Sequence, residues 1–281
     1  MIIALFPNEE KKNSLEIAKN IETFFEQQNI SVVIEDDKAS ILHSKPLSSV
    51  DPKKIDFLLS MGGDGTILRL AHRYSHLEAP IVGINLGYLG FMADIPIDDL
   101  YPSLQDLIKG AYTIENRLMI AGESLQKKEK FFAVNDLVIH RGKNPNLIEL
   151  AIYIDGMYFN TFLADGVIFS TPNGSTAYSL AAGGPILTPT VDGIVLTPIC
   201  PHTISNRPIV LSSEHEIEIQ NLSETEYPIE GRADGHDSFF LDTKEIFHVN
   251  KHDKKFRLAK LHRHNYFSTL RTKLGWAGKI I

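Results

Sequence analysis

Apolar residues in the first hundred positions follow two alternating patterns. Short, predominantly apolar runs, typical of buried parallel strands, occur at 2–6, 30–34, 55–61 and 81–85. Between these runs, apolar residues recur at helical spacing in 14–27 and 66–74. Alternating strands and helices predict an α/β domain with a doubly wound parallel sheet.

After about residue 110 the pattern changes to short strands separated by turns such as Asp155-Gly156 and Asp234-Gly235. The predicted strands are 131–138, 147–154, 157–162, 167–171, 209–211, 216–220, 238–241 and 245–249. One helix, beginning near Ser175, interrupts them. This succession predicts a larger all-β domain, built as a layered sandwich.

Composition narrows the class of protein. Hydrophobic residues make up 43% of the chain and charged residues 22%, as in a soluble globular protein. The net charge of −7 argues against a protein that coats nucleic acid or an acidic membrane. The single cysteine, Cys200, excludes an internal disulfide and a cysteine zinc cluster, and fits a reducing compartment.

The two ends of the sequence raise separate questions. The apolar start, residues 1–6, lacks a preceding basic segment and is predicted to be a strand and not a signal peptide. No segment has the length and apolarity of a membrane span, so we expect a cytoplasmic protein without a membrane partner. The tail over residues 251–279 is rich in Lys and Arg, and it is either a nucleic-acid patch or a segment packed on the body. Apolar residues between its charges, among them Phe256 and Leu270, favour packing, and we expect no nucleic-acid partner.

The segment 62–66, which we call the glycine-aspartate loop, follows a predicted buried strand and precedes a helix. It reads Gly-Gly-Asp-Gly-Thr. Glycines allow backbone N–H groups to approach a phosphate, and a helix N-terminus attracts anions. Asp64 would repel phosphate, so its carboxylate is expected to hold a metal or to accept a proton from an attacking hydroxyl. The alternative is a tight turn with Asp64 as a helix cap.

Two better-known phosphate motifs do not fit this loop. A Walker loop needs a lysine, and none is present; a Rossmann fingerprint needs a third glycine where Leu68 stands.

Two further segments carry candidate ligands. In 165–178, a strand leads into small residues and a helix start, where Ser175 and Thr176 offer hydroxyls and Tyr178 offers a stacking face. A capped helix with a core tyrosine is the alternative.

The pair Asn135-Asp136 interrupts an apolar strand. The carboxylate of Asp136 could accept hydrogen bonds from both hydroxyls of a ribose, and a bulge or strand-end turn is the alternative.

Histidines add little. His72 and His76 have the spacing of a helical metal pair, but the sequence places no third ligand, and we assign no metal-binding residue.

Taken together, these motifs resemble the bacterial NAD kinase family from about Lys54 onward. The matching segments are 62–66, 85–91, 135–136, 165–166, 170–179, 183–185, 201–203, 207–208 and 273–276. The glycine-aspartate loop is shared with lipid kinases and phosphofructokinases, whereas the Thr-Pro-x-Gly-Ser-Thr-Ala-Tyr stretch is far more specific.

The resemblance implies that ATP, with a divalent metal such as Mg²⁺, phosphorylates the 2′-hydroxyl of the adenosine ribose of NAD to give NADP. It implies an α/β domain over 1–97, a β-rich NAD-binding domain over 98–252, and a tail, 253–281, that returns to the first domain. A homodimer or homotetramer is also implied.

Residue roles follow from the same resemblance. Asp64 becomes the catalytic residue that accepts a proton or orients the hydroxyl. The dinucleotide-binding residues become Gly65, Arg69, Asn135, Asp136, Asp165, Thr176, Ala177, Tyr178, Ser179, Leu180, Ala181 and His236.

Two departures from the family pattern stand out. Leu163 occupies a position that is basic in some relatives, which leaves the choice between NAD and NADH open. His236 stands where many relatives carry glutamine. Two rival functions remain: a kinase of lipids that shares the glycine-aspartate loop, and a dinucleotide sensor that consumes no ATP.

Overall fold

Two compact units make up the chain, and one of them is built from two separate stretches. The computed structural model describes residues 1–203, 205–225 and 227–276. Unit 1 contains Met1–Asn116 and the stretch from Arg257 onward, and unit 2 contains Arg117–Phe256. The last part of the predicted tail, 277–281, lies outside the described residues.

The helices and strands follow in chain order. They are β1 (Ile2–Pro7), α1 (Ser14–Glu26), β2 (Ser31–Ile34), α2 (Asp36–Leu42), β3 (Phe57–Gly62), α3 (Asp64–Arg73), β4 (Ile81–Asn85), β5 (Ala93–Pro96), α4 (Leu100–Ile108), β6 (Tyr112–Arg117), β7 (Ile120–Ser124), β8 (Lys130–Ala133), β9 (Asp136–His140), β10 (Ile148–Ile154), β11 (Met157–Ala164), β12 (Gly166–Ser170), α5 (Tyr178–Ala181), β13 (Gly193–Ile199), β14 (Ile209–Ser212), β15 (Ile217–Asn221), β16 (Ile229–Ala233), β17 (Asp237–Leu241), β18 (Ile246–Lys251), β19 (Phe256–Leu261) and α6 (Tyr266–Leu274). Among the described residues, no helix is long and apolar enough to cross a membrane.

Unit 1 is organised around a parallel sheet. In the described part of the chain its strand order is β2-β1-β3-β4-β19-β6, and β5 also pairs with β4. Helix α1 presents Ala18, Ile21 and Phe25, at spacings of three and four residues, to the same core as Leu5 and Leu59 of the strands. The chain goes from β1 to β2 on one side and then crosses to β3 on the other, so the strand order reverses between β1 and β3.

Unit 2 is a sandwich of two antiparallel sheets. Within the described residues the orders are β11-β10-β15-β18-β7-β8 and β14-β13-β12-β9-β16-β17. Inward-facing side chains from both sheets form one core, in which the rings of Phe239 and Phe247 stack with centroids 4.5 Å apart. The predicted fold class, an α/β domain followed by a larger all-β sandwich, is confirmed.

One local prediction was wrong, and the helix near Ser175 is present but short. The strand predicted over 131–138 is divided into β8 and β9, with Val134 and Asn135 between them. The reason is Asp234, whose carboxylate accepts the backbone N–H groups of Val134, Asn135 and Asp136 and so removes these donors from strand pairing. The helix predicted near Ser175 begins as a 3₁₀ turn, Gly174–Thr176, and continues only through the four residues of α5.

Candidate functional site

The glycine-aspartate loop lies at the reversal point of the unit 1 sheet. Strand β3 ends at Gly62 and α3 begins at Asp64, while the loop that follows β1 contacts it through Asn8 Nδ2, 3.1 Å from Thr66 Oγ1. Ligands of doubly wound sheets bind outside the carboxyl ends of the strands at such a point. The N-terminus of a ten-residue helix directed at this crevice favours an anionic ligand.

Asp64 is tied to a second loop of the same unit. Its Oδ2 accepts the N–H of Phe91 at 2.8 Å, and its Oδ1 accepts those of Met92 and Ala93 at 3.0 and 2.8 Å. Gly90 makes this approach possible, since a Cβ there would collide with Asp64 Oδ1. The side chain therefore does not cap its own helix. It fixes the position of residues 90–93 and leaves one lone pair of Oδ2 for another donor.

The neighbouring segment 86–93 is folded by polar contacts from two directions. Asn85 Oδ1 accepts the N–H of Gly87 at 2.7 Å, and its Nδ2 donates to Tyr88 O and Ala93 O. From α6, Lys273 Nζ donates to Leu89 O at 2.8 Å and lies 5.0 Å from the centre of the Phe91 ring. A cavity of about 460 Å³ borders this segment and is also lined by Lys12 and Asn13.

Two other predicted residues of unit 1 are open to solvent. Gly65 is exposed with free space around it, and the exposed Arg69 lies 3.6 Å from Glu10. Both are accessible to a ligand.

Unit 2 contains a cavity of about 660 Å³ that brings together five of the predicted residues. They are Asn135, Asp136, Asp165, Ala177 and Tyr178. The tyrosine is 46% exposed, so one face of its ring is available for stacking on a planar group. These five residues come from three separate segments of the sequence, which supports a shared role in binding.

Two carboxylates adjoin at one side of this cavity. Asp136 is 7% exposed, and burial, together with the nearby charge of Asp234, raises its pKa to about 7. The two carboxylate oxygens of Asp234 accept hydrogen bonds from the N–H groups of residues 134–136, at 2.7 to 3.1 Å. Burial therefore favours the protonated form of Asp136 up to near neutral pH, and the backbone N–H of Asp136 donates to a neighbour that carries the same charge.

Sequence inspection missed the cations of the cavity. Arg141 Nε lies 2.7 Å from Asp165 Oδ1, and Arg232 lines the same cavity next to Glu230. His140 is another lining residue, and burial lowers its pKa. A useful signal was available for Arg141, because it directly follows the buried strand that Asp136 begins.

In the segment 176–181, Ala177 and Tyr178 line the cavity, and the other residues do not. Thr176 Oγ1 donates to the backbone of Asn173, and buried Ser179 is hydrogen bonded to Thr197 over 2.9 Å, so these hydroxyls hold the turn together. Leu180 and Ala181 continue α5 without lining the cavity, and His236 is an exposed neighbour of the lining residue Gly235.

Both units match known domains. Residues 3–112 match the ATP-NAD kinase N-terminal domain and residues 134–261 match the ATP-NAD kinase C-terminal domain. The chain belongs to the ATP-NAD kinase family. This confirms the family predicted from the motifs, and with it the prediction of an NAD kinase.

Similar proteins support this family assignment along the full length of the chain. The NAD kinase of Protochlamydia amoebophila is 57% identical over 99% of both chains. That of Caldanaerobacter subterraneus is 36% identical over 97% of this chain and 98% of its own. Among solved structures, yeast NADH kinase complexed with NADH is 26% identical, with a TM-score of 0.84 over 100% of this chain and 89% of the yeast chain.

A metal ion held by protein side chains needs several oxygen or nitrogen donors in one place. Over residues 1–203, 205–225 and 227–276, no group of three or more His, Cys, Asp or Glu side chains has that arrangement.

Proposed function

We propose that this chain transfers the terminal phosphate of ATP to the 2′-hydroxyl of the adenosine ribose of NAD and so produces NADP. The observation that carries the proposal is its 57% identity, over 99% of both chains, to a bacterial NAD kinase. The site geometry supplies chemistry that suits this reaction in each unit.

The cavity of unit 2 is assigned to NAD. Asp136 and Asp165 are carboxylate acceptors for hydroxyl and amide groups of the dinucleotide, and the half-exposed ring of Tyr178 is a stacking face for a base. Arg141 and Arg232 add positive charge, which favours the pyrophosphate of the same molecule. Leu163 offers no charge to discriminate NAD from NADH, so we expect both to bind.

The glycine-aspartate loop is assigned to phosphoryl transfer. Its backbone and the N-terminus of α3 suit the phosphates of the donor, because both present N–H groups to an anion. The remaining lone pair of Asp64 is assigned to the attacking hydroxyl, whose proton it accepts or orients as the oxygen approaches phosphorus. Three backbone hydrogen bonds keep that carboxylate still, which reduces the cost of positioning.

The divalent metal of this proposal is part of the substrate. Mg²⁺ binds to the phosphates of ATP and neutralises their charge, and it needs few protein ligands because it retains several waters. The donor is therefore written as Mg-ATP.

The assembly and its location also belong to the proposal. We assign a homodimer or homotetramer in the cytoplasm. The exposed apolar side chains of the edge strand β11, among them Met157 and Tyr158, are suited to contact with a second subunit.

One assay tests the reaction. Purified protein is incubated with ATP, MgCl₂ and NAD, and NADP is measured with an NADP-specific dehydrogenase. We expect NADP to form in proportion to ADP. ADP without NADP, in the presence of a sphingoid base or diacylglycerol, would favour a lipid kinase. Binding of NAD without any ADP would favour a dinucleotide sensor.

A further inference from the structure

Three polar side chains of unit 2 form a line of hydrogen bonds that ends at the cavity. Arg117, the first residue of unit 2, is 3% exposed, and its guanidinium donates to Asn173 Oδ1. Asn173 is 8% exposed, and its Nδ2 donates to Asn135 Oδ1 over 2.6 Å. Of these three residues, Asn135 lines the cavity and the other two do not.

The chemistry of arginine fixes the direction of this line. A guanidinium has five N–H donors and no acceptor, so the oxygen of Asn173 must face Arg117. The amide nitrogen of Asn173 then faces Asn135 and donates to it, so the oxygen of Asn135 must be the acceptor. The direction depends only on which groups can donate, and not on how the nitrogen and oxygen of either amide are labelled.

The consequence concerns the face that Asn135 offers to a ligand. Because its oxygen is directed at Asn173, the side chain has its two N–H donors left for the cavity. Rotating the amide by half a turn would place two NH₂ groups against each other and leave buried donors without acceptors.

The turn that carries Asn173 is held against Asn135 by contacts other than this amide pair. The N–H of Thr171 donates to Asn135 O at 2.8 Å, and Thr171 Oγ1 donates to Val134 O at 2.6 Å. Gly174 allows this close approach, since a Cβ there would collide with the Asn135 carbonyl. The distance between the two asparagines is therefore set by the backbone, and the amide pair only selects an orientation.

We propose that Arg117 and Asn173 are positioning residues that hold Asn135 as a hydrogen-bond donor toward the dinucleotide. The inference rests on the proposed NAD kinase function and adds the chemistry of one contact. Asn135 meets an acceptor atom of NAD, such as a ring nitrogen or an oxygen, and does not meet a donor such as an amino group.

Asn173→Asp is the decisive variant. An aspartate of the same shape keeps one oxygen on Arg117 and turns a second oxygen toward Asn135, which must then donate to it. The Asn135 oxygen is left for the cavity, where an acceptor meets an acceptor. We expect the KM for NAD to rise about tenfold, the KM for ATP to stay constant, and kcat to change far less than the KM for NAD.

A double mutant separates this mechanism from general damage to the turn. In an Asn135→Ala background there is no amide to reorient, so Asn173→Asp should add nothing to the KM for NAD. Asn135→Asp, which places an acceptor in the cavity directly, should reproduce the KM of Asn173→Asp. If Asn173→Asp raises the KM equally in the Asn135→Ala background, the proposal is wrong.

Arg117 is tested with a conservative pair. Arg117→Lys keeps a donor-only cation and should retain the wild-type KM, whereas Arg117→Met should raise it; thermal unfolding shows which variants are folded. Equal KM values for folded Lys and Met variants would overturn the role of Arg117. The two proposals fail separately. A wild-type protein that forms no NADP contradicts the kinase function, while calorimetric NAD binding to the same variants still tests the orientation of Asn135.

Discussion

At the residue scale, Asp64 combines an observed structural contact with a proposed catalytic role. It accepts three backbone N–H groups from residues 91–93, and it is the group assigned to the attacking hydroxyl. We expect Asp64→Asn to lower kcat by about 100- to 10,000-fold, the range typical of a lost general base, with little change in the KM for NAD. Initial rates of NADP formation measure both constants.

The loop needs its own control, because asparagine also replaces an acceptor of Phe91 N–H with a donor. Gly90→Ala pushes on the same carboxylate and displaces the same loop while keeping the acid. Its loss of kcat should be much smaller than that of Asp64→Asn. Near-normal NADP formation by Asp64→Asn would exclude the proposed role, and equal losses in both variants would assign the effect to the loop.

Asp136 links the NAD cavity to pH. Burial, and then the charge of Asp234, raise its pKa from 3.8 to about 7. Between these values the folded chain retains a proton that the unfolded chain releases. The stability contributed by protonated Asp136 is therefore fully present below about pH 4 and is lost as the pH rises toward 7.

Asp136→Asn removes this ionisation. We expect its unfolding free energy, relative to wild type, to increase as the pH rises from 5 to 8, in urea titrations without ligand. Asp253→Asn, at an exposed carboxylate of the same unit, should show a flat difference. A flat difference for Asp136→Asn as well would show that the carboxyl is ionised throughout this range.

At the element scale, the break between β8 and β9 depends on a single distant side chain. Asp234 binds the N–H groups of residues 134–136 from about one hundred positions further along the chain. We expect Asp234→Ala to lower the unfolding free energy by about 3 kcal/mol, because it leaves buried donors without an acceptor. Chemical denaturation measures the loss.

The same contact predicts a second effect of Asp234→Ala. Removing the neighbouring charge should lower the pKa of Asp136 and shift its pH dependence to lower values. Asp253→Ala is the matched control, with a change within about 0.5 kcal/mol expected for an exposed site. If Asp234→Ala were as stable as that control, the carboxylate would not be what divides the two strands.

Local pattern was enough to find most elements but not this break. The mainly apolar run 81–85 corresponds to β4 residue for residue, since a strand buried on both faces is apolar over most of its length. β13 was missed, and it contains Pro198, which usually argues against a central strand. The division of 131–138 could not be predicted, because the acceptor that causes it lies far away in the sequence.

The cavity shows the same limit. Asn135, Asp136, Asp165, Ala177 and Tyr178 were predicted because each lies in a segment that resembles the NAD kinase family. Arg141 directly follows the strand that Asp136 begins, but Arg232 lies within an ordinary strand, and nothing in its local sequence separates it from a surface cation. Only the pairing of β9 with β12 and β16 brings those strands to one place.

At the scale of the whole molecule, each unit has its own hydrophobic core. The core of unit 2 uses residues from Leu118 to Val249, and that of unit 1 uses residues from Ile3 to Leu107 with Ala259 and Leu261. Separate cores favour separate unfolding, and a ligand stabilises the structure that binds it. Since the cavity assigned to NAD lies in unit 2, NAD alone should stabilise unit 2 more than unit 1.

Hydrogen exchange with mass spectrometry measures this difference. At an NAD concentration of one hundred times its Kd, the amide exchange of β9, β12 and β13 that requires unfolding should become slower. The expected factor corresponds to about 2.7 kcal/mol. Strands β1 and β3 should change much less. Tyr178→Ala, which removes the stacking face, should weaken the protection at the same NAD concentration. Equal slowing in β1 and β9 would instead mean that the two units unfold as one cooperative structure.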